Sequence, residues 1–235
     1  MQRIVAFFIV LLAIAASPAN ADEASVKRAL EARFGGIKVD GVVKTPYVGL
    51  YEVLTGDEII YTDEKVTFLF NGSIIDAKTH RNLTEERLQK LSVIKFDDLP
   101  LDLAIKQVRG NGKRVVAVFS DPFCPFCRRL DQSLFEMQDL TVYTFLYPIL
   151  RKDESPQMAA RIWCSPDRAK AYYDFMLNNK APGTATGCKA PVDRWLALGQ
   201  KLKISATPVS FVANGQRVVG ARFEDLQKMI NETAK

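Results

Sequence analysis

Apolar residues at 26, 29, 30 and 34 share one face at helical spacing, and Gly35-Gly36 closes the run, so residues 24–34 are expected to form a helix. Short apolar runs then alternate with turn residues. "YVGLYEVL" leads to Thr55-Gly56-Asp57, "EIIY" to Thr62-Asp63, and "VTFLF" to Asn71-Gly72, a dipeptide that signals a hairpin. Residues 37–76 therefore read as an antiparallel meander carrying the helix. Asn82 followed three residues later by Glu85 marks a new helix start, running to about Leu91. Pro100 breaks "KFDDLPLDL", a connector. From Lys113 the period changes. "RVVAVFS" has the apolar continuity of a strand buried on both faces. A helix to about Met137 follows, then the strand "LTVYTFLYP", several helices over 155–202, a hairpin "PVSFVANGQRVVG" and a closing helix over 224–231. The first part is α+β and the second α/β in style. The boundaries fall at 22–82, 83–105 for a linker, and 106–235.

The first residues bear on compartment. Met1-Gln2-Arg3 is a short positive start, Ile4 to Ala16 is unbroken and apolar, and small residues stand at Ala19 and Ala21. This is the pattern of a secretory signal, residues 1–21, cleaved after Ala21. The run is shorter than the ~20 apolar residues of a membrane span, and no second long run follows. Cleavage removes one arginine and no acid, taking the net charge from +5 to +4. Acids and bases are interspersed, with no basic tract and no alternation of aromatic and basic residues. Neither a nucleic-acid partner nor membrane insertion of the mature chain is expected.

Export changes the meaning of the four cysteines, 124, 127, 164 and 188, because disulfides persist outside the cytosol. Cys124 and Cys127 in "FSDPFCPFCRRL" lie between a strand and a helix. Their spacing puts both side chains on one face of the first turn. Unpaired N–H groups there stabilise a thiolate, which is both nucleophile and leaving group. Pro125 fits a first turn, whose N–H has no helical partner. Arg128 and Arg129 either add positive potential or form a solvated face. A zinc site would need four thiolates, and Cys164 with Cys188 is not a second Cys-x-x-Cys knuckle, so no metal is expected. An inert staple suits this short spacing less well than redox chemistry. Cys164 and Cys188 would close a long Pro- and Gly-bearing loop and read as a structural disulfide; two buried free thiols are the alternative. Thr207-Pro208 opens a strand where proline removes a ladder donor. Alone it reads as a trans loop residue; after a Cys-x-x-Cys on a strand–helix turn it reads as a cis proline beside the dithiol.

Together "FSDPFCPFC", "IWCSPDRAKAYYDFM", Gly187-Cys188, "ATPVSFVANG" and the connector "FDDLPLDLAIKQVRGNGKR" resemble the DsbC-type periplasmic protein disulfide isomerases across the whole mature chain. The resemblance implies an N-terminal cystatin-like dimerisation domain, a helical linker and a C-terminal thioredoxin-like domain with a helical insertion. It implies a homodimer in the periplasm that needs no cofactor and acts on misoxidised secreted proteins. A DsbD-type membrane reductase keeps it reduced, and chaperone activity accompanies catalysis. Carried over, Cys124 is the exposed nucleophile, Cys127 the resolving thiol, Thr207 and Pro208 the substrate-groove loop, and Cys164–Cys188 the structural bridge. Two departures stand out. The inner pair is Pro125-Phe126, which leaves the redox potential open, and Ala206 precedes Thr207 where glycine is common. A Pro-x inner pair also occurs in DsbG-type reductases of sulfenylated cysteines, the competing reading beside a mainly chaperone role or an oxidase. Asp121 reads as a loop or capping residue before it reads as a proton relay. His80, the only histidine, reads as a surface residue.

Overall fold

Asp22 caps the first helix, α1 (Glu23–Arg33), its carboxylate accepting the Ser25 N–H at 2.7 Å. The structure, a computed structural model, describes residues 22–47, 49–56, 58–184 and 186–233. The segment 1–21 with its cleavage site lies outside the described residues. Val26 and Leu30, one helical turn apart, pack onto a meander of β1 (Gly41–Lys44), β2 (Tyr51–Thr55), β3 (Glu58–Thr62) and β4 (Phe70–Asn71). All neighbouring pairs are antiparallel, and the register lines Val42, Val53 and Ile60 in one buried row under α1. This is the expected meander with its helix, with one difference. "VTFLF" is not a full strand: only Phe70 and Asn71 pair with β3. Asp63 accepts both the Thr67 N–H and its hydroxyl at 2.6 Å, and Val66 takes a positive φ of 55°, so a tight turn uses up the start of the run. Asn71-Gly72 consequently closes no strand pair; the chain reaches only an isolated bridge between Ile75 and Asn82.

Asn82 caps α2 (Leu83–Leu91), its Oδ1 accepting the Glu85 N–H at 3.0 Å. The capping residue is as read, but Glu85 turns outward to Arg222 at 2.8 Å. A second cross-domain pair joins Lys203 to Asp40 at 2.8 Å. The connector is no free tether. Phe96, Leu99, Leu103, Ala104 and Ile105 are buried in the C-terminal core. The Ile94 N–H donates to the Gly215 carbonyl at 3.0 Å. A Cβ on Gly215 would fall 1.7 Å from the Ile94 oxygen, and its φ is +81°, so only glycine serves both the hairpin turn and the crossing connector.

The C-terminal sheet has the order β5-β7-β6-β8-β9. The strands are β5 (Ile105–Arg109), β6 (Arg114–Ser120), β7 (Leu140–Leu146), β8 (Val209–Val212) and β9 (Arg217–Val219). β5 is a further strand beyond the sequence reading, because "IKQVR" is mostly polar and half exposed at the sheet edge. Only β6 and β7 are parallel, joined by the crossover α3 (Pro125–Glu136). Between β7 and β8 come α4 (Glu154–Trp163), α5 (Arg168–Asn178) and α6 (Val192–Lys201), and α7 (Phe223–Glu232) closes the chain. Val116 and Val118 point to the face covered by α3 and α7, Ala117 and Phe119 to the face covered by α4–α6. Burial of both faces explains the unbroken apolar run of β6. Among the described residues no helix is long and apolar enough to cross a membrane.

Candidate active site

The parallel strand β6 ends at Ser120, and the chain must turn sharply to enter α3. Asp121, fully buried, organises that turn. Its Oδ1 accepts the Phe123 N–H at 2.8 Å and the Ser155 hydroxyl at 3.0 Å, and its Oδ2 accepts the Leu150 N–H at 2.9 Å. The carboxylate ties three segments together, which is the loop role and not the relay role. His80 lies in the first domain, in the turn where its N–H donates to Asp76 O.

Cys124 is the N-cap of α3. Its backbone is extended, Pro125 opens the helix, and the Cys127 N–H donates to Cys124 Sγ at 3.3 Å. Both thiols are free, and both are buried, Cys124 at 3 % and Cys127 at 1 % exposure. The resemblance called for an exposed nucleophile; here the loop carrying Thr207 and Pro208 covers it. The Cys124 thiol donates to the Thr207 carbonyl at 3.3 Å. The Thr207–Pro208 peptide bond is cis. Phe126, between the cysteines, is 60 % exposed and forms the apolar lip of the site.

The two sulfurs differ electrostatically. Cys124 is held down to about 6 from an ordinary 9.0. The largest cause is a hydrogen bond from the Cys127 thiol; burial opposes it, and Thr207 and the N–H groups of Cys127 and Phe126 add to it. The Thr207 hydroxyl is buried with no other partner, so it is free to donate to a thiolate. Arg128 reaches Asn179 at 3.4 Å. Cys127 lies deeper, and burial, then the neighbouring Cys124 thiolate, push its thiol far up. One sulfur is ionised at neutral pH and the other keeps its proton.

Cys164, the C-cap of α4, is bonded to Cys188 with Cα atoms 5.7 Å apart and a sequence separation of 24. The bridge pins the loop after α5 to the end of α4, beside the Trp163–Trp195 ring contact at 5.2 Å.

A further buried acid, Asp131, was not read from the sequence. It sits four residues after Cys127, hence on the same helix face, between the buried Leu130 and Leu134. A lone acid on the apolar face of the helix that starts with the dithiol was the signal that could have found it. Tyr172 on α5 reaches it: the phenol oxygen is 2.6 Å from Asp131 Oδ2 and 2.7 Å from Ser120 Oγ.

Residues 17–85 match the model of the disulfide bond isomerase protein N-terminal domain, and residues 101–234 that of a thioredoxin-like domain. The chain is 50 % identical over 197 residues to the probable thiol:disulfide interchange protein DsbC of Bordetella pertussis, covering 84 % of this chain and 70 % of that one. It is 29 % identical over 217 residues to the thiol:disulfide interchange protein DsbC of Escherichia coli, covering 89 % and 87 %. The crystal structure of a disulfide interchange protein from Neisseria gonorrhoeae superposes with a TM-score of 0.55 at 41 % identity, over 58 % of this chain and 99 % of that one.

Proposed function

Because this chain belongs to the DsbC family of thiol:disulfide interchange proteins and is a thiol–disulfide oxidoreductase, we propose that Cys124 is its attacking thiolate and Cys127 its resolving thiol. The observation that carries the assignment is the place of Cys124 as the N-cap of α3, with the Cys127 N–H donating to its sulfur at 3.3 Å and Cys127 buried behind it, an arrangement that moves the first thiol down and the second up. The Cys124 thiolate attacks a wrong disulfide and forms a mixed disulfide with one substrate sulfur while the other leaves. The substrate then either rearranges and expels Cys124, which is isomerisation, or is released when Cys127 attacks Cys124, which is reduction.

The reading extends to the surroundings. Thr207 and Pro208 form the wall against which a substrate segment lies, and Phe126 offers it an apolar contact. Next to Ala206 a groove of about 520 Å³ opens between the two domains, lined by Leu54, Leu88, Leu91, Val93 and Val219 among others. Such a surface favours retention of a non-native chain, the requirement of an isomerase that also acts as a chaperone. Cys164–Cys188 is the structural bridge of the helical insertion. Residues 22–82 form the dimerisation domain of a homodimer: Phe68, Leu69, Phe70 and Ile75 leave an exposed apolar edge by β4. The protein works in the periplasm on misoxidised secreted proteins, after cleavage behind Ala21, and a DsbD-type membrane reductase returns electrons to Cys124–Cys127.

Refolding of a scrambled multi-disulfide protein tests the reading. Wild type restores activity, Cys124→Ala does not, and Cys127→Ala accumulates a mixed disulfide on Cys124 visible by mass spectrometry. Adducts on Cys127 in the Cys124→Ala protein would reverse the roles. Sedimentation of the full chain tests the dimer, and a monomer at micromolar concentration removes it.

A further inference from the structure

The resolving step has a physical problem. Cys127 must lose its proton to attack, yet its burial holds that proton tightly. A route leads inward. The Ser120 hydroxyl lies near enough to the Cys127 sulfur to favour its ionised form. The Tyr172 phenol bridges Ser120 Oγ at 2.7 Å and Asp131 Oδ2 at 2.6 Å. A phenol has one proton, so it donates on one side and accepts on the other; the chain of hydroxyls can therefore run in either direction. Asp131 Oδ1 is buried with no hydrogen-bond partner, an arrangement that a neutral carboxyl tolerates far better than a carboxylate.

We propose that Asp131, acting through Tyr172 and Ser120, is the internal proton acceptor for Cys127 when it resolves the mixed disulfide. In that step the Cys127 S–H proton passes to the Ser120 oxygen, the Ser120 proton to the Tyr172 oxygen, and the Tyr172 proton to Asp131 Oδ2. The electron pair left on Cys127 sulfur forms the bond to Cys124 Sγ. The bond from Cys124 to the substrate sulfur breaks, and that sulfur departs as a thiolate. The substrate is reduced, the Cys124–Cys127 pair is oxidised, and Asp131 ends neutral. No further oxidant is needed. When the pair is reduced again the proton returns by the same path.

The charges around Asp131 fit this timing. Burial raises it to about 7 from an ordinary 3.8; the Tyr172 hydrogen bond and the Arg109 charge work against that, and the Cys124 thiolate adds to it. Arg109 on β5 does not neutralise Asp131 by contact, because its guanidinium is spent on the Leu134 and Met137 carbonyls and Gln107. Tyr172 and Tyr173 from α5 stay protonated, both raised by burial. Once Cys124 is tied up in a mixed disulfide its negative charge is gone. The acid then ionises more readily and stands ready as a base in the state that needs one.

The inference rests on Cys124 attacking and Cys127 resolving. The test is stopped-flow release of a fluorescent thiol from a preformed mixed disulfide on Cys124, followed from pH 5 to pH 9, with formation of that mixed disulfide measured separately. In wild type the release rate should rise with a midpoint at or below pH 7 and then level off. Asp131→Asn keeps an acceptor for Tyr172 but cannot take up a proton. Its release should be about a hundredfold slower at pH 7, the low end of general-base effects, and should climb without a plateau as Cys127 itself ionises. Tyr172→Phe should behave likewise, while formation changes less than about threefold in both. Unchanged release profiles in folded variants, or equal slowing of formation and release, would overturn the relay. Should both variants fail to fold, infrared difference spectra of wild type at pH 7 decide: a carboxyl band of the reduced protein must be lost when Cys124 is held in a mixed disulfide, and its persistence sinks the proposal. Failure to form any mixed disulfide on Cys124 strikes the assignment of the thiols and not the relay.

Discussion

Replacing Cys124 by serine in the reduced protein should remove a share of stability that depends on pH in a calculable way. A thiol held at about 6 in the folded state and 9.0 in the unfolded one binds its proton less tightly when folded. At about 1.36 kcal/mol per pH unit this is a limiting stabilisation of about 4 kcal/mol. Because the folded value is the lower one, the contribution is complete above the unfolded value and is lost as pH falls toward 6. The stability difference between wild type and Cys124→Ser should therefore grow by about 1.4 kcal/mol from pH 5 to pH 7 and by about 2.7 kcal/mol from pH 5 to pH 8. Cys127 stays silent in this window, since it is protonated in both folded and unfolded chains below its ordinary range. Asp131 titrates in the window and is raised by the Cys124 thiolate, so the two proteins are compared in an Asp131→Asn background. Urea unfolding under reductant at four pH values supplies the difference, and ultraviolet thiolate absorbance gives the Cys124 titration independently. A difference flat within about 0.5 kcal/mol across pH 5–8, or one thiolate step at the ordinary value, would refute the helix-terminus and hydrogen-bond account of the thiolate.

Thr207→Val preserves shape but removes the one hydroxyl free to donate to Cys124; the thiolate titration should move upward by about half a pH unit to one unit, a hydrogen-bond-sized effect, and an unmoved titration excludes Thr207 from thiolate stabilisation. Joint replacement of Cys164 and Cys188 by alanine should cost about 3 kcal/mol, from the loop-entropy model for a separation of 24, and lower the melting temperature while leaving the Cys124 titration in place; reductant that opens Cys124–Cys127 should spare the bridge. A fragment of residues 94–235 should fold as a monomer, reduce a simple disulfide and rescue scrambled protein poorly, whereas 106–235 should be strongly destabilised, because it lacks Phe96, Leu99 and Leu103 from the core. Equal thermal stability of the two fragments would show that the connector is only a tether.

Most of the architecture was legible because it is written in local periodicity. The α1 stripe, the cap at Asn82, the doubly buried β6 and the Asn214-Gly215 turn each depend on residues within a few positions of one another. The family was legible as a resemblance carried by several stretches between Phe96 and Gly215, the second cysteine pair among them, and not by the Cys-x-x-Cys spacing alone. Distance in sequence is where legibility stopped. β5 is mostly polar, and only its pairing with β7 makes it a strand. The connector looks like a linker until Phe96 and Leu103 meet the helices of the far domain. The burial of Cys124 comes from Thr207, 83 residues away. Asp121 and Asp131 are near-equivalent acids in the sequence, each a few residues from the dithiol. Packing alone separates them: Asp121 has each of its oxygens satisfied by loop donors, while Asp131 is enclosed by α3 and α5 with one oxygen bare and Tyr172 leading to Ser120. Local sequence could place two thiols on a helix end, but which acid shares a proton with them depends on desolvation and on hydroxyls from other elements, and those exist only once the chain has closed around them.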